Sequence, residues 1–183
     1  KVSINYLQEI VNEKGGIKKL MGNYSIPYSI LGDCFSKVTI EGKEISTHYL
    51  ELLEEHDNIA KHINFSEASS VFEIGGGFGI NIHLLLENYK NIRKIIYLDI
   101  PPNLYVGNQY LKAFFEDSVL DYRYLKDSDS ITFSSNDEIE ILCIPPWQID
   151  KIDCPIDIFM NSHSFVEMPE IVIENYVKNM SGN

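Results

Sequence analysis

Residues 71–79, V-F-E-I-G-G-G-F-G, constrain this chain more than any other stretch. Val71, Phe72 and Ile74 make a short β-branched and aromatic run, and Gly75, Gly76, Gly77 and Gly79 follow at once. Ile80-Asn81-Ile82-His83-Leu84-Leu85-Leu86-Glu87 then opens an apolar helical pattern. A strand that enters a glycine turn and leaves as a helix is the local form of a phosphate- or cofactor-binding α/β unit.

The spacing of the glycines separates two cofactor classes. A dinucleotide fingerprint reads G-x-G-x-x-G, with the third glycine allowing close helix–strand packing beside a pyrophosphate. Gly75 and Gly77 occupy the first two places, but Ile80 stands at the third, and Gly79 completes G-x-G-x-G instead. Such a turn clears side chains where a ligand lies against backbone without being built to cradle a pyrophosphate. Glu73 stands two residues ahead of it, and Asp99 follows Gly79 by twenty residues, at the end of a second apolar run, Lys94-Ile95-Ile96-Tyr97-Leu98. An acid in that place can accept hydrogen bonds from both ribose hydroxyls of an adenosine. Nucleoside binding without a diphosphate points to S-adenosylmethionine. A nicotinamide or flavin unit and a plain tight turn are the alternatives.

E-I-G-G-G-F-G followed by Y-L-D-I-P resembles motif I and the second-strand acid of class I S-adenosylmethionine-dependent methyltransferases. More narrowly, the triple glycine, the Asp99-Ile100-Pro101 element leading to Tyr110-Leu111, and the segment from Asn161 through His163 and Glu167 to Met168 resemble the sugar O-methyltransferase family. The resemblance covers roughly residues 71–180. It implies an α/β fold with a Rossmann-like sheet, direct SN2 methyl transfer to a sugar or glycan hydroxyl, and a leading segment that covers the cofactor or shapes the acceptor pocket.

Lys and Arg number 15 against 27 Asp and Glu, a net charge of −12, in 183 residues of which 44% are hydrophobic. That suits one principal globular domain, and it repels a phosphate backbone, which argues against a nucleic-acid partner and leaves small molecules, neutral glycans or basic partners open; the resemblance implies a small-molecule sugar or glycan acceptor. Cys34, Cys143 and Cys154 show no C-x-x-C pair, so neither zinc site nor disulfide framework is indicated, and no metal is required. No apolar run approaches the length of a membrane span and no signal-peptide pattern opens the chain, so the expected setting is the cytoplasm.

Residues 1–66 are expected to form a helical N-terminal extension or lid. Ile4, Leu7, Ile10, Val11 and Ile17 fall at helical spacing, interrupted by Gly15-Gly16, which end or kink that helix. Turn signals fill residues 21–44 around an extended Lys37-Val38-Thr39-Ile40, and a second helix starts at Ser46 or Thr47 and runs to about Ile63. Tyr24 and Tyr28 flank Pro27 as candidates to line a sugar site, with boundary packing the plainer role. His48, His56 and His62 read as surface or boundary residues.

Residues 67–183 are expected to hold the cofactor-binding sheet. A helix of about residues 103–115 follows Pro101-Pro102, residues 121–125 are an isolated extended candidate, and strands are expected at 138–144 and 155–161. The first ends at Pro145-Pro146-Trp147, so Pro145 and Trp147 are candidates to enclose the adenine, with a core plug the other role for the tryptophan. Gln148 joins them as a hydrogen-bonding candidate. The second ends at Asn161, Ser162, His163 and Ser164, in the crevice where open α/β sheets bind ligands. His163 is the candidate base, and Glu167 orients it, acts as base itself or caps the helix that begins near Pro169. The expected cofactor contacts are Glu73, Gly75, Gly76, Gly77, Gly79, Asp99, Ile100, Pro101, Pro145, Trp147 and Asn161. Only four strands are legible where a complete class I sheet has seven. The sheet therefore reads as incomplete at the C-terminus, to be completed by a missing segment, another chain or a homo-oligomer. A nicotinamide-dependent oxidoreductase and a degenerate, non-catalytic interaction module are the rival functions.

Overall fold

The computed structural model describes residues 22–25, 36–40 and 43–180. The helix expected in residues 2–20, Pro27, Tyr28, Cys34 and the turn expected at Gly32-Asp33 lie outside them. The chain divides into two compact units, Lys1–Phe65 and Ser66–Asn183.

In the first unit, β1 (Lys37–Ile40) pairs antiparallel with β2 (Lys43–Ser46), a partner strand too short to stand out from its polar neighbours in sequence. Helix α1 (Thr47–Ile59) begins where the Ser46 hydroxyl accepts from the Tyr49 amide at 3.4 Å. Its buried side is Tyr49, Leu52, Leu53 and His56, an i, i+3, i+4, i+7 stripe. The helix stops at Ile59 rather than Ile63, and both of these residues are exposed, so no apolar contact rewards a further turn. His56 is a core residue rather than a surface or boundary one: its ring lies between Tyr24 and Phe65, at centroid distances of 5.3 and 4.9 Å. Burial lowers its pKa to about 4 against the opposing pull of Asp57, so it is neutral at physiological pH. The Tyr24 hydroxyl donates to Asp57 at 3.3 Å, which gives that tyrosine a packing role.

The second unit is an open, all-parallel sheet of Rossmann-like order. Its strands are β3 (Ser70–Ile74), β4 (Lys94–Leu98), β5 (Val119–Leu120), β6 (Glu140–Ile144) and β7 (Ile158–Met160). They lie side by side as β5, β6, β4, β3, β7. The chain builds outward from β3 through β4 to β6, then returns to set β7 on the other side of β3. The order therefore reverses at β3, and the crevice beyond the carboxyl ends of the strands there is the ligand position of such sheets.

Helices α2 (Ile80–Asn88) and α3 (Pro101–Phe115) return the chain between strands. Pro101 and Pro102 occupy the first positions of α3, where the absent amide costs nothing. One face of the sheet carries Phe72, Ile74, Ile96, Leu98, Leu142 and Ile144 into a cluster with Tyr176 of α5 (Glu170–Met180). The other carries Glu73, Tyr97 and Cys143, in register across β3, β4 and β6, toward α2 and α3. Burial on both faces is why β4 and β6 read as near-continuous apolar runs.

Residues 121–125 are not extended. The Asp121 side chain accepts from the Arg123 amide and pairs with its guanidinium, and this local cap turns Tyr122–Leu125 into one helical turn, α4, after the two residues of β5. Among the described residues, β7 is an edge strand with Phe159 36% exposed, and no helix is long and apolar enough to cross a membrane.

Asp157, just before β7, pins that strand to the start of β3. One of its oxygens accepts from the amides of Ser69 and Ser70, at 2.7 and 3.0 Å, and from both hydroxyls. Burial pushes its pKa up, but the four donors outweigh this and hold it below the ordinary 3.8. A carboxyl depressed on folding stabilises above its unfolded pKa and loses that contribution as pH falls. Asp157→Ala is expected to cost about 1–3 kcal/mol at pH 7 by urea denaturation. The gap from wild type should close as pH drops below 3.8.

Candidate functional site

The carboxyl ends of β3, β4 and β6 are level, because Ile74, Leu98 and Ile144 are register partners. Gly75, Asp99 and Pro145 therefore emerge side by side. Asn161 follows Met160, which pairs with Glu73, on the far side of β3.

The turn after β3 needs its glycines for two different reasons. Gly75, Gly77 and Gly79 have φ of +72°, +59° and +88°, in the left-handed region where a Cβ is strained. Gly76 has ordinary φ but no room: a Cβ would stand 2.5 Å from Glu73 Oε2 and 2.9 Å from the Tyr97 ring. Gly79 is the N-cap of α2, and a Cβ there would meet Leu111 of α3 at 2.9 Å. The outer surface of the turn is therefore bare backbone opening onto a helix N-terminus.

Asp99 holds the turn from the next strand. One carboxylate oxygen accepts from the Gly77 amide at 2.8 Å; the other accepts from its neighbour Ile100 at 2.7 Å and from the Asn103 side chain at 3.3 Å. Burial raises the Asp99 pKa above its ordinary value, opposed by these three donors. A carboxylate has about four acceptor positions, so the oxygen facing Gly77 keeps one for a ligand hydroxyl. Beneath the turn, the Tyr97 hydroxyl donates to the Gly77 carbonyl, and α3 passes over it at Gly107, where any Cβ would collide with the Tyr97 hydroxyl. Burial keeps that phenol protonated, and burial pushes the Cys143 thiol up to about 12, so neither supplies a nucleophile at neutral pH.

Glu73 is a carboxyl group in the core, 1% exposed. Oε1 accepts from the Asn81 side chain at 2.8 Å, while Oε2 is buried without a hydrogen-bond partner. Burial first, with the Asp99 charge adding to it and the Asn81 bond opposing it, raises its pKa to about 7.

On the other side of the turn the chain after β7 is tied down by its own side chains. The Asn161 amide donates to the Ile74 carbonyl at 2.9 Å and to Ser164 Oγ at 2.5 Å, and its oxygen accepts from the Phe165 amide at 3.1 Å. Asn161 thus serves β3 and its own loop. Ser164 fills the space beside Gly75 that a Cβ would need. His163 stands at the N-cap of a single 3-10 turn, Ser164–Glu167, and Glu167 ends it; both residues are exposed.

Ile100, 52% exposed, and Trp147, 66% exposed, follow adjacent strands and both present apolar surface to solvent. Trp147 does not plug the core. Pro145 is buried, Pro101 is exposed, and Gln148 is turned inward, donating to the Leu125 carbonyl at 2.7 Å. Sequence reasoning missed Tyr97, Asn81 and Gly107, and it named Ser162 at the crevice without the Asn81 bond that holds it. Tyr97 lies two residues before Asp99, and strand alternation alone puts it on the face that Asp99 follows. For Asn81 and Ser162 no periodic pattern exists, because each bonds to a side chain on a different element: Asn81 to Glu73 of the preceding strand, and Ser162 to Asn81 of α2.

Two measurements check this geometry. Gly77→Ala, with nothing within 4 Å of the new Cβ, should cost about 1–2 kcal/mol for conformation alone. Gly79→Ala should cost roughly 1–3 kcal/mol more through Leu111. For Glu73 the raised pKa means that the unfolded chain ionises first, so stability is present below 4.5 and lost as pH rises toward 7. Glu73→Gln should remove that loss. Denaturation at pH 4.5 and 7 should show the wild type losing about 3 kcal/mol relative to the variant.

Among known proteins, no family model matches this chain. No curated protein matches it. Among solved structures, it is similar to that of a mitomycin 7-O-methyltransferase at 17% identity and a TM-score of 0.47, over 73% of this chain and 35% of that one. This chain thus spans about a third of that protein's length.

Proposed function

We propose that this chain binds S-adenosylmethionine at residues 73–79 and Asp99 and serves in methyl transfer to a sugar or glycan hydroxyl. The observation that carries the reading is the bare glycine turn at the sheet's reversal point, with a carboxylate beside it that keeps one acceptor position. A G-x-G-x-G turn with Ile80 buried at the third dinucleotide place fits a nucleoside better than a pyrophosphate. In this reading Asp99 accepts from a ribose hydroxyl, Ile100 and Trp147 offer apolar faces to the adenine with Pro145 beneath, and the glycine backbone lies along the rest of the ligand. Pro101 starts α3 so that Asp99 and Ile100 leave β4 at a fixed angle, and Asn161 sets the height of the next loop.

S-adenosylmethionine supplies a methyl group on a sulfonium, an electrophile that a hydroxyl oxygen can attack in line. The protein's tasks are then to align that oxygen and to accept its proton as the C–O bond forms and the C–S bond breaks. His163 takes the proton at a ring nitrogen, and Glu167, four residues on in the same 3-10 turn, orients the imidazole or receives the proton itself. The surface charge set by 27 acidic against 15 basic residues favours a neutral acceptor over a phosphorylated one.

Calorimetric titration with S-adenosylhomocysteine, with NAD in parallel, tests the reading. The nucleoside thioether should bind and NAD should not, and Asp99→Ala should weaken binding by at least about tenfold, the loss of one charged hydrogen bond. Binding of NAD alone, or of neither ligand, overturns it. With labelled S-adenosylmethionine and a panel of mono- and oligosaccharides, His163→Ala should abolish label transfer while leaving the nucleoside affinity unchanged.

A further inference from the structure

The Asn81 side chain makes two hydrogen bonds that no other described residue duplicates. Its amide nitrogen donates to Glu73 Oε1 at 2.8 Å and to Ser162 Oγ at 3.0 Å. Asn81 stands in the first turn of α2, Glu73 near the end of β3, and Ser162 in the loop after β7. One amide therefore joins the helix behind the glycine turn, the strand beneath it and the loop beside it. Ser162 precedes His163 directly, and the residues that flank this pair, Asn161 and Ser164, are each bonded to the Ile74 carbonyl.

We propose that Asn81 is a positioning residue: its amide ties the buried carboxyl of Glu73 to the Ser162 hydroxyl and so seats residues 161–164 beside the glycine turn. This deepens the proposed function, on which it rests for the role of His163, because it names what holds the base in place. The tie also carries information about protonation. An amide donates more strongly to a carboxylate than to a carboxylic acid, and Glu73 changes between the two near neutral pH. The groups facing Glu73 are Tyr97 of β4, its register partner, Asp99 just beyond that strand, whose charge raises the Glu73 pKa, and Asn81 from α2; β7 presents Met160 opposite it. Tyr97 stays neutral through the range, and Asp99 is the one other carboxyl among them. Lowering the pH through about 7 loosens the Asn81 bond and with it the seat of Ser162.

Nuclear magnetic resonance of the whole chain, without ligand, tests this. The Ser162 backbone amide, the Asn81 side-chain amide and the Glu73 carboxyl carbon are followed from about pH 5.5 to 8.5, with His163→Gln as background so that no ionisable side chain stands next to Ser162. Ser162 and Asn81 should shift together with the Glu73 midpoint. Asn81→Ala should abolish the Ser162 response while Glu73 still titrates, at higher pH than before because a donor to its anion is gone. Ser162→Ala should leave the Glu73 midpoint unchanged, and Glu73→Gln should silence both amides. A Ser162 response that survives Asn81→Ala, or a Ser162 amide that ignores pH in the background protein, overturns the proposal. No nucleoside enters the experiment, so these outcomes stand apart from the S-adenosylhomocysteine titration, whose failure would remove the methyl-transfer reading and leave the tie itself intact.

Discussion

The hydrogen bond from the Gly77 amide to the Asp99 carboxylate is the interaction on which the crevice depends. A glycine turn has few conformational limits of its own, and freezing each residue costs about 1–2 kcal/mol. A charged acceptor on the neighbouring strand offsets part of that cost, since such bonds contribute about 1.5–3 kcal/mol. The same carboxylate caps the Ile100 amide, so the start of α3 and the centre of the turn are set by one group. Register then does the rest: β3 and β4 end level, so the acid and the glycines meet without any long loop to position them.

Holding the turn has a cost beneath it. Tyr97 and Glu73 fill the space under Gly76 and Gly77, and both bring polar atoms into a layer where β4 and β6 are otherwise apolar. The phenol is satisfied by the Gly77 carbonyl, whereas one oxygen of Glu73 is left without a partner. An ionisable group kept in that state costs stability near neutral pH, and such costs concentrate where binding or chemistry is done. Asn81 relieves part of the cost and spends its second bond on the loop that carries His163.

The backbone of this site is largely legible in the sequence, and the side-chain wiring is not. β3, β4 and α2 announce themselves because an apolar run, a glycine cluster and a helical pattern follow one another without interruption, and Asp99 stands at the end of its run. β6 and β7 were expected in the right places but are shorter, as residues outside the ladder share the same composition. The region 121–125 misled because Tyr122, Tyr124 and Leu125 have strand propensity, while the deciding interaction, Asp121 capping its own turn, is a side-chain bond with no periodic signature. His56 reads as a surface or boundary residue for a related reason: its neutral ring meets Tyr24 edge-on, and that partner is far away in sequence. Asn81, Ser162 and Gly107 lie deeper still, since each is explained only by a partner on another element.

The most direct test of the central claim is to map which backbone amides respond when S-adenosylhomocysteine is added to labelled protein. The account predicts shifts confined to residues 75–81, 99–101, 145–147 and 161–164, the carboxyl-end rim of the sheet. Shifts gathered instead around residues 134–140, at the opposite ends of the strands, or no shifts at all, would contradict it.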